Sequence, residues 1–138
     1  MDEADLSFLK PKVRRLCEAL IAKCAEAGFE VKMVRGSRSI EKQDEYYAQG
    51  RTTPGKIITN ARGGQSYHNY GVAFDIRPTV SDELKKEFYE KAGPMGEELG
   101  LEWGGRWTTI IDPPHFQYTA GYSIEDFKEG RVDESQFE

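Results

Sequence analysis

The sequence lacks several features that would point to common classes of protein. No apolar run approaches the roughly 20 residues needed to cross a bilayer, so we expect no membrane insertion. Acidic residues outnumber basic ones by 24 to 19, and the net charge of -5 argues against nucleic-acid binding, which needs a basic surface. The acidic start also lacks the basic and apolar regions of a signal peptide. We therefore expect synthesis in the cytoplasm without such a signal.

Cysteine is scarce as well, since the chain has only Cys17 and Cys24. Residues seven apart on a helix are separated by roughly 10 Å at their Cα atoms, which is beyond the reach of a disulfide. We therefore predict that both cysteines are reduced residues of the core. Because they lie far from both histidines in the sequence, the usual closing ligand of a structural metal site is also missing.

The hydrophobic pattern predicts helices interleaved with short strands in one α+β domain that spans residues 1–138. Helices are predicted over residues 11–28, 39–49, 81–99 (interrupted near Gly93 and Pro94) and in a short segment capped by Ser123 and Asp126. Strands are predicted over residues 29–34, 72–76, 101–103, 108–111 and 115–118. Residues 51–65 are predicted to form a loop, and the tail from about residue 132 is predicted to be frayed.

The first of the two histidines lies in a compact group of polar residues, Ser66-x-His68-x-x-Gly71-x-Ala73-x-Asp75. In an extended chain His68 and Asp75 would be too far apart to bind one ion, but a turn at Gly71 would bring them together. Asp75 falls in a predicted strand, which is a rigid position suited to a ligand. Ser66 could support a ligand through a hydrogen bond.

The second histidine closes the segment Asp112-Pro113-Pro114-His115. Residues that precede proline favour polyproline II, in which residues three apart project to the same side. Asp112 and His115 would then face one ion, whereas strand geometry would point them to opposite faces. Two imidazoles and one carboxylate match a catalytic zinc with a position open to water. Each histidine alone is more typical of a surface or core residue, and the spacing alone leaves these two interpretations about even.

The motif Gly36-Ser37-Arg38-Ser39 and then Gln43 precede these two histidine motifs. The order of all of them over residues 31–118 resembles that of the M15 zinc peptidases. This family includes VanY-type D-Ala-D-Ala carboxypeptidases, VanX dipeptidases and the L-alanyl-D-glutamate endopeptidases of phage endolysins. The segments Trp103-Gly-Gly-x-Trp107 and Asp112-x-x-His115-Phe-Gln117 are nearest to the last group. The resemblance implies an α+β fold with a small, mainly antiparallel sheet flanked by helices, as in the Hedgehog amino-terminal domain.

The resemblance also implies a role for each matching residue. His68, Asp75 and His115 take the places of the ligands of a catalytic Zn²⁺. Asp112 takes the place of the general base, which accepts a proton from water and returns it to the leaving amine. Arg38 matches the arginine that stabilises the substrate carbonyl or carboxylate.

The function implied by the resemblance is zinc-dependent hydrolysis of a stem-peptide bond in peptidoglycan, foremost the L-Ala–D-Glu bond. The alternatives are a D-Ala-D-Ala carboxypeptidase and a non-catalytic zinc-containing module that binds wall peptides or a protein. We expect a monomer that reaches the cell wall after host lysis or by another export route. Arg106 departs from similar endopeptidases, which often carry Asp there. Arg106 and Arg35 are either surface residues or contacts to stem-peptide carboxylates.

Overall fold

The computed structural model describes residues 6–36 and 38–138, in which four α-helices accompany one antiparallel four-stranded sheet. The acidic first residues and Ser37 of the motif Gly36-Ser37-Arg38-Ser39 lie outside the described residues. The helices are α1 (Pro11–Glu26), α2 (Ile40–Ala48), α3 (Asp82–Glu98) and α4 (Ile124–Lys128). The strands are β1 (Val31–Arg35), β2 (Ala73–Pro78), β3 (Glu102–Trp103) and β4 (His115–Gln117). The predicted α+β class is confirmed.

The sheet packs one of its faces against the hydrophobic core. Its strand order is β1-β2-β4-β3, with every neighbouring pair antiparallel. Phe74 and Ile76 of β2 are fully buried, and the rings of Phe74 and Phe116 stack 5.9 Å apart. Burial of each such side chain stabilises the fold by about 1.5–3 kcal/mol. Because side chains alternate along a strand, Asp75 projects to the face opposite this core.

Helix α1 supplies much of the core beneath the sheet, and it has the periodicity predicted for it. Its buried residues follow each other at steps of three or four and are Val13, Cys17, Leu20 and Cys24. Both cysteines are free and buried, as predicted. Burial raises the pKa of Cys17 to about 12 and that of Cys24 to about 11, so both remain thiols at neutral pH. None of the helices in the described ranges is long and apolar enough to span a bilayer.

Helix α3 is continuous through Pro94, so the predicted interruption is wrong. The glycines near this proline serve close packing instead of ending the helix. A Cβ atom on Gly93 would lie 2.3 Å from the ring of Trp103, and one on Gly96 would lie 2.5 Å from the ring of Phe116. The proline costs the helix one backbone hydrogen bond, and contact with the sheet offsets that loss.

Two further predictions are wrong. The segment predicted as a strand at residues 108–111 is exposed, and the tail predicted to be frayed packs against the core. Residues 108–110 form bends, residue 111 has no regular structure, and no strand among the described residues pairs with this segment. Ile110 and Ile111 are 55% and 64% exposed, so this β-branched run is not core. The tail expected to fray instead forms a short 3-10 helix, Glu134–Phe137, and Phe137 is 1% exposed against the rings of Tyr118 and Phe127.

Candidate metal centre

The central strand positions one carboxylate between two neighbouring strands. Asp75 of β2 lies directly opposite Arg35 of β1 on one side and His115 of β4 on the other. Directly opposed residues of antiparallel strands project from the same face of the sheet. The three side chains therefore share the face that points away from the core.

His68 reaches the same face from a 3-10 helix, Tyr67–Tyr70, which precedes β2. Gly71 ends this helix in the left-handed region, with φ of 72° and ψ of 24°. A Cβ atom at this position would lie 2.6 Å from the Phe8 carbonyl oxygen, so the turn also needs the space that glycine leaves. The predicted turn at Gly71 is confirmed. Ser66 caps the 3-10 helix by accepting a hydrogen bond from the His68 backbone N–H at 3.2 Å, and so supports the backbone of His68.

One nitrogen of each histidine lies close to the same oxygen of the Asp75 carboxylate. Its Oδ1 lies 3.5 Å from Nε2 of His68 and 3.3 Å from Nδ1 of His115. Two ligands that each bind one tetrahedral zinc ion at about 2.0 Å lie roughly 3.3 Å apart, which is close to both distances. Oδ1 is also buried and accepts no hydrogen bond of good geometry within the described residues. A buried carboxylate oxygen without a partner is costly, and a cation would satisfy it.

A hydrogen bond on the far side of each imidazole places the ring hydrogen there and leaves a lone pair on the nitrogen that faces Asp75. Nδ1 of His68 lies 2.7 Å from the Gly36 carbonyl oxygen, which can only accept, so Nδ1 carries the hydrogen and Nε2 is left with its lone pair. Nε2 of His115 lies 2.7 Å from Oε1 of Gln117, whose amide nitrogen donates to Glu102 at 2.5 Å. Because a carboxylate only accepts, Glu102 orients the Gln117 amide and leaves the lone pair of His115 on Nδ1.

The ionisable side chains of the centre shift one another's pKa values. Burial alone would raise the pKa of Asp75, but the two imidazoles outweigh burial and hold its pKa well below the ordinary value. Burial lowers the pKa of His68. Burial acts the same way on His115, yet the close contact with the negative Asp75 carboxylate, helped by Gln117, prevails and raises the pKa of His115. The centre thus combines a carboxylate whose ionised form is favoured with two imidazoles, which is a donor set suited to a divalent ion.

Asp112 lies beside the three donors without joining them. Its Oδ2 is 4.0 Å from Nδ1 of His115, and its side chain is 44% exposed. The segment forms a turn, in which the His115 N–H donates to the Asp112 carbonyl at 3.1 Å, so the expected polyproline II geometry is wrong although both side chains share one side. Burial and the Asp75 carboxylate raise the pKa of Asp112, while the positive charge of Arg35 acts in the opposite direction.

Arg38 borders the same cleft as the three donors and is held there by a glutamine. The guanidinium is 6% exposed and donates to Oε1 of Gln43 at 2.5 Å. The amide nitrogen of Gln43 donates in turn to the Ala61 carbonyl at 2.6 Å and to the Thr59 hydroxyl at 3.3 Å. Gln43 therefore links Arg38 to the loop of residues 51–65. The sequence motif contains Gln43, but no pattern within the sequence indicated this bridging role.

The donors lie at the floor of a cleft of about 570 Å³. Its walls come from the two segments without regular structure around residues 51–65 and 107–112, and their apolar lining residues are Ile57, Ile58, Trp107 and Ile110. Sequence reasoning missed these wall residues, because exposed isoleucines in a polar loop have no periodicity that marks them. Arg106 is not a cleft residue, since it points to the surface and pairs with Glu97 at 2.9 Å.

Several known proteins are similar to this chain in sequence or in fold. The profile of the family described as D-alanyl-D-alanine carboxypeptidase matches residues 59–118. The peptidoglycan L-alanyl-D-glutamate endopeptidase CwlK of Bacillus subtilis (strain 168) is 39% identical over 123 residues, which cover 80% of this chain and 74% of that protein. The L-alanyl-D-glutamate peptidase of Listeria phage A118 is also 39% identical, over 77 residues that cover 48% of this chain and 26% of the phage protein.

Among solved structures, the L-Ala D-Glu endopeptidase ChiX of Serratia marcescens superposes with a TM-score of 0.61. The superposition covers 89% of this chain and 86% of ChiX at 24% sequence identity, so it shows a common fold. The matched profile includes His68, Asp75, Asp112 and His115, so the three donors and Asp112 lie within the region that the family shares.

Proposed function

Because the chain belongs to the M15 family of metallopeptidases, we propose that it hydrolyses the L-Ala–D-Glu bond of peptidoglycan stem peptides with Zn²⁺ as its metal. The observation that carries the proposal is the buried Oδ1 of Asp75 between two imidazoles, with the carboxylate of Asp112 4.0 Å from one of them. The choice of bond follows the names of the two relatives at 39% identity. The choice of zinc follows the two imidazoles and one carboxylate, which zinc accepts in catalytic sites.

Each residue of the centre has a distinct part in the proposed reaction. His68, Asp75 and His115 would hold the ion, which when bound polarises the scissile carbonyl and lowers the pKa of water to about 7. Asp112 faces the cleft and accepts the proton of the attacking water, then returns it to the leaving amine. Gly36 and the pair Gln117–Glu102 keep the two imidazole rings in the orientation that this requires.

Arg38 stabilises the negative charge that develops on the carbonyl oxygen. A buried guanidinium that is already fixed by Gln43 needs little reorganisation as this charge forms. The apolar walls of the cleft exclude water around the scissile bond, which strengthens every electrostatic contact inside.

Digestion of purified peptidoglycan by the zinc-loaded protein tests the proposal. Released fragments are identified by mass spectrometry, with EDTA as the control. We expect new amino-terminal D-Glu that EDTA abolishes. Release of free D-Ala would replace the proposal with the carboxypeptidase alternative, which the description of the matching family profile favours. Bound zinc without any turnover would instead support the non-catalytic module.

A further inference from the structure

Arg35 is a second arginine of the cleft, and the reaction described above gives it no part. It is half-buried at the end of β1 and lines the cleft together with Asp75, Asp112 and His115. Its guanidinium packs over the ring of Tyr46 at 5.3 Å, and no carboxylate of the described residues forms an ion pair with it. A guanidinium in this setting keeps hydrogen-bond donors available to a ligand.

A β-bulge directs Arg35 toward the metal centre. Met33 pairs with Ile76 while Arg35 pairs with Asp75, so β1 has one residue more than β2 across this step. With an unbroken register, the residue before Arg35 would lie opposite Asp75. The bulge therefore places an arginine beside the ligands, and bulges near active sites commonly re-aim a side chain in this way.

Both guanidiniums of the cleft pack on the ring of Tyr46, at 5.3 and 4.9 Å, but each also borders a different neighbouring recess. Arg35 also lines a smaller recess that it shares with Asp112 and Pro114. Arg38 instead borders a separate cavity with Asn69. Arg35 is thus the arginine on the Asp112 side, which is the side where the proton returns to the leaving amine.

We propose that Arg35 binds the α-carboxylate of the residue that follows the scissile bond, and so selects substrates in which this carboxylate is free. The inference rests on the proposed function. In D-Glu linked through its γ-carboxyl, the amino group and the α-carboxylate are attached to the same carbon. When Asp112 protonates that amine, the α-carboxylate is brought to the same side of the cleft. There the planar guanidinium matches a carboxylate with two N–H donors.

Amidation removes the charge of that carboxylate and one of its two acceptor oxygens. D-isoglutamine keeps a single carbonyl acceptor, and its NH₂ group offers donors to a guanidinium that accepts no hydrogen bond. The substrate class selected by Arg35 is therefore the stem peptide with unamidated D-Glu at its second position.

Two synthetic peptides that differ only at this group test the inference, N-acetyl-L-Ala-γ-D-Glu-L-Lys and its D-isoglutamine counterpart. For the zinc-loaded wild-type protein we expect kcat/KM to be about tenfold to hundredfold higher on the acid, the size of a charge-assisted contact. Arg35→Gln is expected to lose that factor on the acid, mainly through KM, and to stay within about twofold of wild type on the amide.

Two further variants separate recognition from general effects of charge and folding. Arg106→Gln removes the same charge at the surface, outside the cleft, and should leave both peptides unaffected. Arg35→Lys keeps the charge without the planar pair of donors and should retain part of the preference for the acid. Zinc content and circular dichroism establish that each variant is folded.

The possible failures are distinguishable. Equal kcat/KM of the wild-type protein on acid and amide would overturn the inference whatever the variants do. An equal loss on both peptides in Arg35→Gln would also overturn it, because Arg35 would then support the metal centre instead of the substrate. Absence of wild-type cleavage at L-Ala–D-Glu in both peptides would overturn the proposed function and the inference with it.

Discussion

At the scale of single residues, the sequence motifs indicate the candidate metal donors but not the groups that orient them. His68, Asp75 and His115 were predicted as ligands from spacing and resemblance, and the structure brings their donor atoms within 4.8 Å of one another. The groups behind them could not be predicted in this way. Gly36 acts through a backbone carbonyl, which every residue has, and Glu102 acts through Gln117 from another strand.

Replacement of Asp112 separates proton transfer from metal binding. Asp112→Ala is expected to retain zinc and to lose hydrolysis, because its carboxylate lies beside the donors instead of among them. Zinc content by atomic absorption and cleavage of a stem peptide are measured on the same sample. His115→Ala is the comparison and should lose both zinc and activity. Loss of zinc from Asp112→Ala would identify Asp112 as a ligand.

Removal of Gln117 tests whether the orientation of the His115 ring matters for metal affinity. Gln117→Ala leaves every donor in place but frees the ring, and we expect zinc affinity to fall by about tenfold to hundredfold. Competition with a chromophoric chelator gives the affinity directly. Gln136→Ala, at an exposed position in the carboxyl-terminal 3-10 helix, is the matched control. Unchanged affinity in Gln117→Ala would show that packing alone fixes the ring.

At the scale of elements, the structure confirms the predictions where a pattern has one physical cause. Helix α1 follows its apolar periodicity, and α4 begins at the predicted capping box of Ser123 and Asp126. Predictions fail where a residue type serves two purposes. Gly93 was interpreted, with Pro94, as an interruption of the helix, whereas in the structure Gly93 and Gly96 let aromatic rings pack closely against α3. Such packing depends on tertiary contacts that local sequence does not specify.

The turn between His68 and Asp75 provides a test at this scale. Gly71→Ala places an alanine in the left-handed region, which lowers the free energy of unfolding by about 1–2 kcal/mol. Its Cβ atom also clashes with the Phe8 carbonyl oxygen, which lowers it by about a further 1–3 kcal/mol. Gly130→Ala is a closely matched control, because its φ of 73° is nearly that of Gly71 and a Cβ atom there meets nothing within 4 Å.

Urea denaturation of both variants gives the free energies of unfolding. The difference between Gly71→Ala and Gly130→Ala isolates the steric part, since the backbone strain is shared. Equal destabilisation by the two substitutions would show that the Phe8 segment moves aside without cost.

At the scale of the whole molecule, the metal centre joins segments that are distant in the sequence. Its donors come from the 3-10 helix before β2, from β2 itself and from β4, and the pairing of β2 with β4 aligns two of them. A metal ion that binds only the folded state would therefore stabilise the entire fold. The sequence motifs established which residues meet, but the strand order that joins them, β1-β2-β4-β3, follows from non-local pairing.

Removal of the metal should lower the melting temperature. At free zinc a hundredfold above Kd, binding contributes about 2.7 kcal/mol, and EDTA removes this contribution. Differential scanning calorimetry of the zinc-loaded and chelated protein measures the shift. His115→Ala lacks a donor and should melt at the same temperature in both conditions. A melting temperature of the wild-type protein that is independent of EDTA would contradict coupling between the centre and the fold.

The tryptophan in the wall of the cleft gives the molecule an optical property of its own. The ring of Trp107 lies 5.0 Å from the imidazole of His115 and is 38% exposed, while Trp103 is packed against Gly93 and donates to the Pro113 carbonyl at 2.8 Å. One indole thus lies beside the candidate metal centre and the other packs against α3. We expect a change in the charge of the His115 imidazole, or in the hydration of the cleft, to alter the fluorescence of Trp107, so that binding at the centre can be followed without an added dye.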